Sequence, residues 1–178
     1  HVTGDAIPAA MYRNLAIEGE VAAYVVESTS GSTDEWTFAW APVVELHHYA
    51  FDGHPPTSAE LVARNAIHAG TVEVHPADRA SGRLGQIDLD AVMTITIGHG
   101  GDGMADDVHQ TTLNELPGGP QGTVRWLASK LAGDADMALL QKAGSIVLTS
   151  SPAGLYPVRP GDTVTVTWSG MSVAHTVI

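Results

Sequence analysis

The 178-residue chain has no cysteine, so disulfides and thiolate metal sites are excluded, and the composition suits a reducing cytoplasm. Basic residues are scarce: eight Lys and Arg stand against twenty Asp and Glu, for a formal net charge of −12. That field repels phosphate backbones and anionic lipid, which argues against nucleic acid and membrane surfaces as partners. No apolar run reaches the roughly eighteen residues that a spanning helix needs. The first residues, HVTGDAIP, lack the charged start and apolar centre of a secretory signal. Repeats of fixed period and low-complexity tracts are absent, which disfavours solenoids and propellers. Charged residues make up only 16% against 44% hydrophobic, enough apolar surface for one sizeable core. The expectation is a single cytoplasmic domain over residues 1–178. The chain opens on His1 rather than Met, which suits a processed product, a tag remnant or a piece whose upstream segment is missing. A small anionic substrate would need a local cation, and with so few basic residues a bound metal is the economical source.

What is present is mostly β pattern. Val, Thr and Ile alternate with polar residues in EGEVAAYVVES, WTFAWAPVVEL, GQIDLDAVMTITIGHG, GSIVLTSS and DTVTVTWSGMSVAHTVI, punctuated by Gly, Pro and Ser. Two stretches predict helices. TSAELVARNAIHAG has Thr57 or Ser58 as cap, Glu60 in its first turn and Gly70 past its end; QGTVRWLASKLAGD sets Trp126, Leu127 and Leu131 on one face. The four tryptophans predict core or interface packing. The reading is a strand-dominated α+β domain.

One short stretch raises a chemical question. In IEGEVA, Glu18 and Glu20 stand two apart in a strand pattern, so both side chains leave the same face. Glu45 ends a second apolar run, APVVEL. Three hard oxygen ligands from two strands suit Mg²⁺ or Mn²⁺, whereas the plain alternative is a solvated face of an edge strand. GHGGDGMADD lacks the helix that a phosphate loop needs, and its Asp102, Asp106 and Asp107 lack calcium-loop spacing. It reads as a hairpin tip. Ser150 and Ser151 are not set in the strand-turn-helix elbow of a serine hydrolase.

The tail, SIVLTSSPAGLYPVRPGDTVTVTWSGM, resembles the C-terminal part of the fumarylacetoacetate hydrolase superfamily, whose members typically carry V-L-T-G-S/T-P-A-G, then P-G-D and a closing hairpin. The matching positions are Val147, Leu148 and Thr149, then Pro152, Ala153 and Gly154, then Arg159, Pro160, Gly161 and Asp162. Upstream, IEGEVA is similar to the family's E-x-E strand and APVVELHHY to its A-P-A-L-E-V-V-D-S segment. ELVARNAIHAG is similar to its L-I-A-D-N-A-S helix and VRWLASKLA to the A-W-L-A-N-K-L-A helix of the 2-hydroxypenta-2,4-dienoate hydratase and 2-oxo-4-enoate decarboxylase branch.

The resemblance implies a β-rich, barrel-like mixed sheet with short helices, the α+β fold of that family's C-terminal domain, in a homo-oligomer. It implies Mg²⁺ or Mn²⁺ on Glu18, Glu20 and Glu45, and a metal-dependent lyase that hydrates or decarboxylates a small 2-oxo or 2-hydroxydienoic acid through a metal-stabilised enolate. Substrate contacts would fall on Thr149, Arg64 and Asn65. An acylpyruvate-type hydrolase and a non-catalytic binding or assembly subunit are the alternatives.

The chain also departs from the pattern. Ala63-Arg64-Asn65-Ala66-Ile67 replaces A-D-N-A-S, and Ser150 replaces a glycine. The hydratases' active-site lysine has no counterpart, since Lys130 and Lys142 fall in or just after the second helix. Proton transfer then has to come from elsewhere, and His47, His48 and His68 are the candidates because imidazole titrates near neutrality.

Overall fold

A computed structural model describes residues 6–29, 32–49, 51, 55–100 and 103–178; Asp102 of the Gly-rich tip lies outside them. The chain forms two β-sheets packed face to face. The first runs β1 (Ala6–Ile7), β11 (Met171–Val177), β10 (Thr163–Trp168), β6 (Val92–Gly98), β7 (Asp107–Thr112). The second is built on the long antiparallel hairpin of β2 (Leu15–Glu27) and β3 (Thr37–His48). The outer edge of β3 pairs with β4 (His68–Glu73) and β5 (Ala80–Arg83), and that of β2 with β8 (Ile146–Leu148) and β9 (Leu155–Pro157).

Period-2 patterning decides which faces meet. On β6 and β10 the alternating Met93, Ile95, Ile97, Val164, Val166 and Trp168 are buried, while the intervening threonines are at most partly covered. They pack against Ile17, Val21, Val44 and Leu46 of the β2–β3 hairpin. Gly19 lets the sheets approach there, because a Cβ on it would lie 2.6 Å from the Ile95 side chain. Pro42 sits mid-strand in β3 although it has no N–H to give. It falls in the interval where β5 pairing has ended at Trp40 and β4 pairing begins at Val43. The β10–β11 hairpin turns on Ser169-Gly170, both with positive φ (50° and 78°), the form whose twist matches that of the strands.

Two sequence expectations need correction. The helix expected to reach residue 69 is α1, only Ser58–Ala63, with Thr57 and Glu60 forming the capping box. Asn65, Ala66 and Ile67 then take left-handed φ angles and His68–Gly70 enter β4, so Gly70 is a strand residue rather than a helix cap. In α2 (Gly119–Leu131) the core face is Val124, Leu127, Ala128 and Leu131, close to one helical stripe. Trp126 points roughly the opposite way and is 59% exposed, whereas Trp36, Trp40 and Trp168 are buried as expected. A short helix α3 (Met137–Leu140) follows. Among the described residues, no helix is long and apolar enough to cross a membrane.

Candidate metal centre

The outer face of the β2–β3 hairpin, opposite the sandwich core, carries the carboxylates. Glu18 and Glu45 are direct cross-strand partners, and Ala16 pairs with His47. The period of two therefore sets Glu18, Glu20, Glu45 and His47 on one face. One ligand atom each from Glu18, Glu45 and His47 lie within 4.8 Å of one another. The His47 Nε2 is 3.4 Å from a Glu18 oxygen and 3.6 Å from a Glu45 oxygen, and its side chain is only 5% exposed. Among the described residues, neither ring nitrogen of His47 has a hydrogen-bond partner.

A buried imidazole without a partner is costly unless something sits on its lone pair. Two carboxylates converging on it supply the hard, anionic half of a divalent-cation site, so these residues fit such an ion.

Glu20 lies beside this trio and is 2% exposed. Its carboxylate accepts the backbone N–H of Ser150 at 3.2 Å. Burial, followed by the charges of Glu45 and Glu18 and a hydrogen bond with Glu45, raises its pKa to about 9, and the Ser150 N–H opposes the rise. Glu20 is thus protonated at neutral pH unless a cation draws the proton off.

The three histidines separate. His47 joins the carboxylates. The His68 Nδ1 is 2.6 Å from a Glu45 oxygen. A β-bulge places it: pairing slips between Leu46 and His47, so that His47 faces His68 while Leu46 faces Gly70. In unbroken register Ala69 would stand opposite His47. Gly70, with φ of 148°, is the residue that permits the kink. His48 is placed differently from His47. As the next residue after His47 it leaves the other face of β3, where its Nδ1 accepts the Arg13 N–H at 3.2 Å and its ring lies 5.2 Å from that of Tyr12.

Thr149 is fully buried, and its hydroxyl donates to the Val21 carbonyl, which ties the end of β8 to β2. Its own carbonyl accepts from the Thr123 hydroxyl of α2 at 3.2 Å. Arg64 and Asn65 stand exposed at the end of α1. Sequence reasoning put His47 among the proton-transfer candidates and not among the candidate ligands, although the E-x-H spacing of Glu45 and His47 already put the two on one face. It also missed the neighbouring cluster in which Glu73 accepts from Thr71 and Arg79 at 3.1 Å each, with Arg79 3.5 Å over the Tyr24 ring.

No protein-family model matches the sequence, and neither does any curated protein. The fold, however, occurs in solved structures. The 4-oxalocrotonate decarboxylase of Pseudomonas putida G7, complexed with magnesium and adipate, matches with a TM-score of 0.74 at 21% identity, over 98% of this chain and 65% of that one. The maleylpyruvate hydrolase of Sphingobium sp. SYK-6 gives 0.56 at 16% identity, over 97% and 59%. The 5-carboxymethyl-2-hydroxymuconate delta-isomerase of Mycobacterium smegmatis gives 0.58 at 17%, over 97% and 62%. The fold is that of the fumarylacetoacetate hydrolase superfamily, as the sequence motifs predict, and this chain spans less than two thirds of the length of each of these three proteins.

Proposed function

We propose that the chain is a divalent-metal-dependent lyase that hydrates or decarboxylates a small 2-oxo or 2-hydroxydienoic acid. The observation that carries this reading is His47, buried between Glu18 and Glu45 with neither ring nitrogen hydrogen-bonded among the described residues. The three similar folds catalyse a decarboxylation, a hydrolysis and an isomerisation, so fold alone does not select a reaction.

Glu18, Glu45 and His47 would hold Mg²⁺ or Mn²⁺, with Glu20 as a fourth carboxylate at the same place. An imidazole among the ligands favours Mn²⁺ over Mg²⁺, which prefers oxygen alone. When bound, the cation would act as a Lewis acid that polarises the 2-oxo group and stabilises negative charge developing on it.

The protein's own groups do the rest. Hydrogen bonding to Glu45 orients the His68 ring, and with Nδ1–H donated its Nε2 is left to take or return a proton on the substrate carbon chain. The Ser150 N–H fixes the Glu20 carboxylate. A cavity of about 610 Å³, lined in part by Ala16, Tyr49, Leu155 and Pro157, opens at the strand ends next to Ala16, the partner of His47.

The test is exchange of the C3 protons of 2-oxobutyrate into D₂O with Mg²⁺ present, followed by NMR. Exchange should exceed the rate with free Mg²⁺, and should be lost in Glu45→Gln and largely lost in His68→Gln. Exchange at the free-metal rate, with metal binding confirmed by calorimetry, would instead identify a binding subunit.

A further inference from the structure

A second feature lies just outside the carboxylate cluster. Arg13, His48, Arg64, Ile67 and His68 line a cavity of about 310 Å³. Two of the eight Lys and Arg residues of a chain with net charge −12 meet there, beside two histidines, and among the described residues that line it there is no carboxylate.

The local chain is arranged to bring this about. Asn65, Ala66 and Ile67 have φ of 51°, 51° and 60°, a left-handed run that is unfavourable for Ala and more so for β-branched Ile. Strain of this kind persists where the surroundings enforce it, and it gathers at ligand clamps. Here the turn carries the chain from Arg64 to His68 in four residues and leaves both lining one cavity. In the same lining, His48 is held by the Arg13 N–H and by the Tyr12 ring. The Arg64 guanidinium lies 5.5 Å from the centre of the Phe51 ring, and among the described residues it makes no ion pair. The resembling motif has an acid where this chain has Arg64. His68 belongs to both places, since it lines the cavity while its Nδ1 bonds Glu45. One imidazole ring separates the carboxylate cluster from the cationic cavity.

We propose that this cavity is an anion subsite that takes the far carboxylate of a dicarboxylic 2-oxo acid whose 2-oxo end lies at Glu18, Glu45 and His47, with Arg64 setting the preference. The inference rests on the metal-centre reading above. A guanidinium offers forked donors that match a carboxylate in geometry and charge. An apolar tail of equal length would cover Arg64 and His48 without giving them acceptors, which is how a polar pocket rejects a ligand lacking the polar group. Ile67 supplies an apolar wall for the methylene chain between the two ends.

The test compares 2-oxoadipate with 2-oxohexanoate, which share a carbon count and differ in the terminal carboxylate, by calorimetry on the full chain with Mn²⁺ and with oxalate as a probe of the metal centre alone. The wild type should bind 2-oxoadipate at least tenfold more tightly. Arg64→Ala should remove that preference and Arg64→Lys should keep part of it, while Mn²⁺ and oxalate affinities stay unchanged in both. Equal affinity for the two acids in a wild type that binds Mn²⁺ and oxalate would overturn the subsite and leave the metal centre standing, and so would a preference that survives in Arg64→Ala. Absence of metal-dependent oxalate binding would overturn the metal-centre reading and the subsite with it.

Discussion

Ser150 donates its main-chain N–H to the buried carboxylate of Glu20 from a left-handed conformation, φ 77°. The resembling motif has glycine at this point, and the geometry explains why: only a residue without Cβ adopts that φ without strain. Serine here accepts the strain and keeps the hydrogen bond. Ser150→Gly should therefore preserve the contact and raise stability by about 0.5–1 kcal/mol, the left-handed penalty outweighing the extra unfolded-state entropy of glycine. Urea unfolding with metal removed measures this, and a loss of stability would contradict the strain argument.

Glu20 gives the metal-free protein a pH dependence of definite sign. Its folded pKa, about 9, exceeds its ordinary value of 4.5, so the folded state holds a proton that the unfolded chain releases. Stability without metal should fall as pH rises between those two values. Mn²⁺ or Mg²⁺ binding at pH 7 should displace close to one proton, read from the buffer dependence of the calorimetric enthalpy. Glu20→Gln should abolish that release, leave the fold intact and weaken metal binding tenfold or more.

His99 gives a pH dependence of the same sign from a different cause. It bridges Asp162 through Nδ1 and Asp107 through Nε2, each at 3.1 Å, and joins the end of β6 to the turn before β10. Its hydrogen bond to Asp162 and then that to Asp107 raise its pKa above the usual histidine value. The stabilisation is fully present below about pH 6.5 and is lost as pH rises through the raised folded value. The Tm difference between wild type and His99→Gln should be largest near pH 6 and should shrink toward pH 9. A difference that does not change with pH would show that the clasp is not electrostatic.

Gly19, between the two glutamates, faces the other sheet. A Cβ there would meet the side chain of Ile95 at 2.6 Å and that of Val166 at 3.3 Å, with both neighbours fully buried. Gly19→Ala should cost about 1–3 kcal/mol by overpacking. Gly19→Ala combined with Ile95→Val should recover part of that loss in thermal unfolding, and an additive pair would mean that the clash is relieved elsewhere.

The outcome divides along a physical line. Alternation of apolar and polar residues is local, so the sequence by itself determined β2, β3, β6, β10 and β11, the shared face of Glu18, Glu20 and Glu45, and the fold that the ordered motifs predict. The same rule already placed His47 with Glu45 and His48 away from it. Tertiary structure alone decided the remainder, because each of these features depends on pairing between distant segments. A one-residue bulge opposite Leu46 and His47 turned His68 toward Glu45. The expected helix stops at Ala63, and a left-handed run carries Arg64 and His68 to one cavity. Burial beneath neighbouring strands raised the pKa of Glu20, and the Ser150 N–H reached it across 130 residues of chain. Desolvation and register are properties of the assembled sheets, and no local pattern encodes them.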